Sequence, residues 1–421
     1  MKASIQNQLL QAALGRINKS IIKGKDPAEV GQYLSLVVNE KAFTAIVARR
    51  DVVSKIVLDI PKLGSMASTD GKWNCVFDGD MVSKFLSYAR GQDMIHWKYQ
   101  DVSPEEGQSA PTPQDSDEDS EEKSDLLLAE TGRITIEAPG FKGKTSRMTT
   151  SCFRIPVDAK VEAKPDSETV IKGQDLVSVI KLLKTSVGEK TMSDAYNNVL
   201  FRVKEGVVTL ASTNMVQLAL SNLTPVSSKL DFACTLPFDV LALVVGMLDP
   251  NADVSVFMGA DSRTMIIAQD IVFGSNNAGK AVYKCLLSTE RFPNVEKRIE
   301  PIQFKTTCRV RTEEATDAIR CVDAPSDVVR TRFEISATAS EAGLLKVDGK
   351  QEIAASFALY DCKNDTNTDP THVILSSEHL AQVLSVAGEE FTLKFSGHNS
   401  MACAEISPTS KMYFMTFPAS A

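Results

Sequence analysis

Three stretches of the chain share one pattern of apolar and polar positions. They are residues 76–91 (VFDGDMVSKFLSYARG), 236–248 (LPFDVLALVVGML) and 375–387 (LSSEHLAQVLSVA). Each opens on a polar or acidic residue suited to cap a helix. Apolar residues then follow at helical spacing, as at Val240, Leu243, Val244 and Met247, or at Leu380, Val383 and Leu384. Each stretch therefore predicts a helix. A short polar break comes next, then an alternating segment that predicts a strand: DMIHWKYQ, ADVSVFMG and EFTLKFSG. The second and third copies continue alike, since ADSRTMIIAQD and HNSMACAEI both read as a turn with a returning strand. In the first copy an acidic stretch intervenes before RITIEAPG resumes as that strand.

A second predicted helix precedes each of these at a similar distance. Its copies are residues 7–21 (NQLLQAALGRINKSI), 173–187 (GQDLVSVIKLLKTSV) and 311–323 (RTEEATDAIRCVD). Each unit thus reads as helix, strands, helix, strands. The first and second copies lie further apart than the second and third, by about the length of the acidic stretch. Repeats of this kind are supersecondary units. The expected architecture is three tandem α+β domains, residues 1–165, 166–298 and 299–421.

Charge changes the picture at one place. The 421 residues carry a formal net charge of −8, which taken alone argues against a nucleic-acid partner. Residues 101–125, however, hold ten Asp and Glu against one basic residue, Lys123. The remainder has 45 Lys and Arg against 44 Asp and Glu, so the acidity belongs to one segment. That segment is rich in Pro, Ser and Gln and has no aromatic residue. It is expected to be a solvated, disordered loop inside the first domain, or a regulatory arm that mimics a polyanion.

Several function classes find little support. No apolar run approaches the ~20 residues of a membrane span, and MKASIQNQLLQ lacks the apolar core of a secretory signal. Eight scattered Cys without a CxxC fit reduced, mostly buried thiols in a cytoplasm. Four His (96, 372, 379 and 398) lack metal-ligand spacing, and no HExxH or GxSxG occurs. No metal, cofactor or catalytic residue is expected. Residues 138–145 (APGFKGKT) come close to a P-loop, which would make Lys144 and Thr145 the core of a nucleotide hydrolase. A P-loop must open a helix that holds phosphate at its N-terminus. The following SRMTTSCFRIPVDA reads as a strand, which makes the motif a hairpin turn instead.

Basic residues gather on or just after the first helix of each unit. They are Arg16, Lys19, Lys23 and Lys25, then Lys181, Lys184 and Lys190, then Arg309, Arg311, Arg320 and Arg330. One such cluster is a solvated helix face; three suggest a shared electropositive surface. No aromatic residues interleave with them, so any DNA contact would be to phosphate and independent of sequence. The C-terminal KMYFMTFPASA alternates large apolar residues nearly to its end, as a closing strand or one wall of a surface pocket.

Together these segments give the chain a resemblance to the bacterial DNA polymerase III beta subunits, the sliding clamps. GKAVYKCLLSTERFPNVEKRI (279–299) is similar to the family's link between second and third domains, where Gly-Arg-Phe-Pro-Asp-Tyr is usual. DAYNNVLFRVKEGVVTLASTNMVQLAL (194–220) resembles its second-domain strands. The end, Phe417-Pro418, is similar to its closing hydrophobic residue and proline. The resemblance covers essentially the whole chain in order, and a divergent or phage-encoded member fits it. It implies the DNA clamp fold, with helices lining a ring and antiparallel sheets outside. It also implies a cytoplasmic, non-enzymatic processivity factor for a replicative DNA polymerase, in a bacterial or phage-infected cell. The implied partners are double-stranded DNA, the polymerase, a clamp loader and a second copy joined head to tail. A repeat scaffold that binds only proteins stands as a further alternative.

In that family a pocket takes short hydrophobic peptides from client proteins. Position by position, its wall here would be Tyr196, Thr213, Val216, Leu218, Pro293, Met415, Phe417 and Pro418. The family's run Thr-Asp-Gly-His-Arg-Leu reads Thr213-Asn214-Met215-Val216-Gln217-Leu218 here, and its Met-Arg-Leu ending reads Ala419-Ser420-Ala421. Lys25 and Lys190 fall where the family places loop residues that touch DNA.

Overall fold

The computed structural model describes residues 1–22, 31, 33–90, 93–101, 130–139, 144–153, 161–188, 194–274, 276–322, 330–335, 340–348, 351–364, 371–396 and 400–416. They form two compact units: residues 1–174 with 239–286, and residues 175–238 with 287–421. Six principal helices are labelled α1 (Asn7–Ile17), α2 (Gly79–Ser87), α3 (Gly173–Lys184), α4 (Phe238–Val245), α5 (Thr312–Cys321) and α6 (Ser377–Leu384). All six lie within the predicted helical stretches. The acidic segment 101–125 lies outside the described residues, save Asp101 at the end of a strand.

In the first unit, one antiparallel sheet runs Ala67–Asp70, Lys2–Gln6, Met94–Asp101, Glu130–Pro139, Thr145–Phe153. A second runs Thr169–Lys172, Asp253–Met258, Thr264–Phe273, Asn276–Leu286, Val52–Asp59, Ala42–Ala48, Tyr33–Val38, Trp73–Asp78. Alternation sets the faces. Val52, Ser54, Ile56 and Leu58 are buried, and the residues between them are partly exposed. Strands from two predicted repeats meet here, with Gly279 opposite Leu58 and Cys285 opposite Val52. Gly279 is required by close approach, because a Cβ there would lie 2.0 Å from the Val57 carbonyl oxygen.

Helix α1 buries Leu9, Leu10, Ala13, Leu14 and Ile17, one face at helical spacing. Its first residue ties it to α2. The buried Asn7 side-chain amide donates to the carbonyls of Leu86 (3.3 Å), Ala89 (2.9 Å) and Arg90 (3.3 Å), satisfying groups left open at the α2 C-terminus. At the other end of α2, the Asp78 carboxylate accepts from the Asp80 N–H at 2.9 Å. Trp97 and Phe43 meet edge to face in the core of this unit, 5.8 Å between centroids.

The second unit holds a nine-stranded sheet in the order Phe232–Pro237, Asn198–Lys204, Val207–Thr213, Gln217–Leu223, Ser410–Met415, Met401–Ser407, Glu390–Phe395, Thr306–Arg311, Tyr360–Asn364. A four-stranded sheet runs Gln351–Ala358, Ser340–Asp348, Arg330–Ile335, Thr371–Ser376. Strands of different predicted repeats pair here as well: Leu218 stands opposite Tyr413, and Gln217 opposite Phe414.

The nucleotide-hydrolase alternative is corrected by the hairpin of the first unit. Pro139 pairs with Thr145, and Thr145 begins a strand that runs to Phe153. With a strand in place of a helix after Thr145, no helix N-terminus is presented to phosphate. Arg309 also needs correction. It lies on the strand Thr306–Arg311 before α5, where Cys308 and Val310 point inward and Arg309 and Arg311 outward.

Candidate functional site

The second unit contains a cavity of about 210 Å³ lined by Tyr196, Thr213, Met215, Val216, Gln217, Leu218, Pro293, Asn294, Val295, Arg298, Ile299, Met401 and Met415. Six of the eight predicted wall residues are among them: Tyr196, Thr213, Val216, Leu218, Pro293 and Met415. Phe417 and Pro418 lie outside the described residues.

Local sequence explains how these side chains converge. The strands Val207–Thr213 and Gln217–Leu223 are joined by a tight turn, which puts Thr213 and Leu218 opposite each other. Asn214 Oδ1 accepts from the N–H groups of Val216 (3.2 Å) and Gln217 (2.8 Å), the local capping that makes Asn a turn former. Thr213 Oγ1 donates to the Gln217 carbonyl at 2.6 Å. The Gln217 amide is held in turn by the side chain of Gln382 on α6.

The opposite wall comes from the link. Pro293 opens it, and Val295 is followed by the single helical turn Glu296–Ile299. Spacing of four residues sets Val295 and Ile299 on one side of that turn. Arg202 fixes it to the sheet by pairing with Glu296 at 2.6 Å, and holds that carboxyl below its usual range. Beneath lies an apolar floor: Ala211, Leu218, Val295, Cys403 and Tyr413 are buried together, with Leu200, Phe292, Ile299, Phe304 and Met401 against them.

The lining is apolar with a few polar groups, the composition of a binding site. Arg298 is its one charged member, and no carboxylate, imidazole or thiol lines it among the described residues. The Cys403 thiol in the floor is pushed up to about 12 by burial and by Glu405. Met215, Gln217, Asn294, Val295, Arg298, Ile299 and Met401 were not among the predicted wall residues. Val295 and Ile299 carried a signal in their spacing. Met401 carried none, because it enters only as the cross-strand partner of Met415.

The predicted basic residues separate into two kinds. Lys181 and Lys184 are exposed on α3, whose other face buries Leu176, Val179, Leu182 and Leu183. Arg320 is exposed at the end of α5 and reaches Asp317 at 3.7 Å. Arg16, by contrast, is engaged: its side chain is 15% exposed, donates to Gln269 Oε1 at 2.8 Å and meets Asp249 at 3.7 Å. Lys19 is exposed and donates to the Gly246 carbonyl. Arg309 pairs with Asp361 (2.8 Å) and Glu390 (3.0 Å). Lys23, Lys25 and Lys190 lie outside the described residues. Among the described residues no cluster of His, Cys, Asp or Glu could hold a metal ion, and no helix is long and apolar enough to cross a membrane.

Neither a family model nor a curated protein matches the chain. Solved structures do. The DNA polymerase III subunit beta from Pseudomonas aeruginosa superposes with a TM-score of 0.74 at 15% identity, over 99% of this chain and 100% of that one. The DNA polymerase sliding clamp from Bacillus subtilis gives 0.74 at 13% identity, over 99% of both chains. The beta subunit from the DNA polymerase of Streptococcus pyogenes gives 0.74 at 10%, again over 99% of both. The chain therefore has the sliding-clamp fold from end to end.

Proposed function

We propose that the chain is a DNA sliding clamp, a non-enzymatic processivity factor that encircles duplex DNA and tethers a replicative DNA polymerase. The observation that carries this reading is the apolar cavity walled by Leu218, Val295 and Met415, set in a sliding-clamp fold that spans the whole chain. A tether needs a place to hold its client, and an apolar groove with the exposed Arg298 at its rim suits an extended hydrophobic peptide. The three predicted α+β domains, 1–165, 166–298 and 299–421, are the repeats of this clamp. The clamp loader docks at the same groove, and the setting is the cytoplasm of a bacterial or phage-infected cell.

A clamp must also hold DNA weakly and without regard to sequence. Lys181, Lys184 and Arg320, exposed on first helices of their repeats, are suited to counter phosphates without reading bases. Lys23, Lys25 and Lys190 belong to the same proposed surface. Ring closure needs a second copy. Met81 and Phe85 of α2 and its C-capping residue Tyr88 share one face, with Met81 45% and Tyr88 88% exposed. An exposed apolar stripe of this kind marks an interaction surface. We assign it to the head-to-tail contact with the second subunit, a heterologous interface that closes by rotation.

Light scattering and DNA retention test the reading together. The expected result is a dimer at micromolar concentration that, once loaded, stays on nicked circular DNA and leaves when the circle is cut. A strict monomer that is lost equally from circular and linear DNA would refute it.

A further inference from the structure

Four non-glycine residues among those described hold a positive φ: Glu205, Met215, Ser262 and Asp361. The three polar ones occupy sharp reversals or bulges. Glu205 precedes Gly206 in the turn before Val207–Thr213, and Ser262 sits in the turn before Thr264–Phe273. Asp361 stands where the pairing of Tyr360–Asn364 shifts register. Met215 is the apolar exception, at φ 78°. Left-handed backbone is strained for a residue with a Cβ and a long side chain, and glycine would make the same turn without strain.

That strain is not offset by burial, since Met215 is 60% exposed. Nor does the turn depend on its side chain. Met215 N–H donates to Thr213 Oγ1 at 3.3 Å, Asn214 N–H to the Gln217 carbonyl at 3.2 Å, and the Asn214 amide to Gln217 Oε1 at 3.1 Å. Neighbouring groups thus over-determine the loop and leave the methionine nothing structural to do. Strained residues held in this way cluster where ligands are clamped. The Met215 side chain lines the cavity, beside Val216 and Met415, which are also exposed.

We propose that Met215 is a specificity-determining residue of this groove, an apolar flap that folds over a bulky aliphatic or aromatic side chain of a bound peptide. The proposal rests on the peptide-groove reading above and deepens it. An unbranched thioether has three rotatable bonds and a polarisable sulfur, so it moulds to side chains of different shape. With Met401 and Met415 in the same lining, the groove is adaptable on two sides. Such a groove accepts a class of apolar side chains and excludes small ones, which leave the flap without a partner.

The test uses the full-length protein and fluorescence anisotropy with two fluorescein-labelled pentapeptides, one ending in Leu-Phe and one in Ala-Ala. Three proteins are compared: wild type, Met215→Leu and Met215→Gly. The wild type should bind the Leu-Phe peptide and discriminate against Ala-Ala. Met215→Leu should stay within about threefold of wild type, while Met215→Gly should lose about tenfold in affinity for Leu-Phe. Met215→Gly should nevertheless melt no lower than wild type, because relief of strain offsets its freer unfolded chain. Equal Leu-Phe affinity in wild type and Met215→Gly would overturn the flap and leave the groove standing. A melting temperature several degrees lower in Met215→Gly would show a structural role instead and overturn it too. A wild type that binds neither peptide, or both equally, would remove the groove reading and the flap with it.

Discussion

The basic residues of α1 and α3 look alike in sequence but hold different environments, and substitution separates them. Consider Arg16→Ala against the double variant Lys181→Gln with Lys184→Gln. Arg16 donates a charge-assisted hydrogen bond to Gln269, whose amide donates to the carbonyls of Asp249 (2.7 Å) and Ala252 (3.1 Å). A hydrogen bond involving a charged group contributes about 1.5–3 kcal/mol. The ion pair with Asp249 adds little, since the aspartate is 41% exposed and the distance is 3.7 Å. Gln269 Oε1 keeps the Asp249 N–H after the substitution, so no acceptor is orphaned. Arg16→Ala should therefore cost about 2 kcal/mol. The lysine pair should cost less than about 1 kcal/mol, mostly lost helix-end electrostatics on α3. Duplex DNA binding should reverse the order. Each lost phosphate contact lowers the slope of log K against log salt by about 0.9, so the lysine variant should lose up to about 2 in slope. Urea denaturation and anisotropy on a duplex over a range of salt measure both quantities. If Arg16→Ala left stability unchanged and lowered the slope as the lysines do, the division drawn from the hydrogen bonds would be wrong.

Three further outcomes are expected. Burial holds the His379 imidazole neutral below its ordinary pKa of 6.5, stacked on Phe414 with centroids 5.6 Å apart. The unfolded chain takes the proton first, so stability is complete above about pH 6.5 and falls as pH drops below it; His379→Gln should flatten that fall in a thermal melt between pH 7 and 5. Tyr88→Ser with Met81→Ser should shift the solution mass toward monomer at micromolar concentration without lowering the melting temperature of the monomer, because both side chains are exposed. Gly279→Ala should cost about 3 kcal/mol by forcing apart the strands Asn276–Leu286 and Val52–Asp59, and a melting temperature equal to wild type would contradict the 2.0 Å approach.

Helices were legible because their periodicity is local. Leu9, Leu10, Ala13, Leu14 and Ile17 announce a buried face without reference to any other segment, and the structure buries all five. The pairing of residues 130–139 with 145–153 was legible for a similar reason: two alternating segments close in sequence pair with each other. The cavity was half legible. Thr213, Val216 and Leu218 flank one turn, and Val295 and Ile299 follow a proline, so each wall is readable alone. That the link faces the turn depends on Glu296 reaching Arg202 on a strand far back in the chain, and that Met415 joins them depends on Leu218 pairing with Tyr413, almost 200 residues away in sequence. Nothing local encodes that pairing. The engagement of Arg16 was illegible on the same ground, because Gln269 and Asp249 belong to distant strands and turns. The φ of Met215 ran against expectation, since methionine gives no sign of a left-handed turn.

The repeats of the sequence and the compact units of the structure do not coincide, and strand pairing explains why. Residues 279–285 belong to the second predicted repeat, yet they pair with residues 52–58 of the first. Residues 217–221 of the second repeat pair with 410–414 of the third. A backbone ladder joining two repeats is chemically the same as one within a repeat, so compactness follows the sheets and not the repeat boundaries. The second repeat is accordingly divided: 239–286 lies in one unit and 175–238 in the other. The two long sheets thus run across a boundary to the next repeat, while the five-stranded and four-stranded sheets each stay within one. Edge strands such as Gln351–Ala358, where Ile353 is exposed, have a neighbour on one side only among the described residues. An exposed edge of this kind invites another chain.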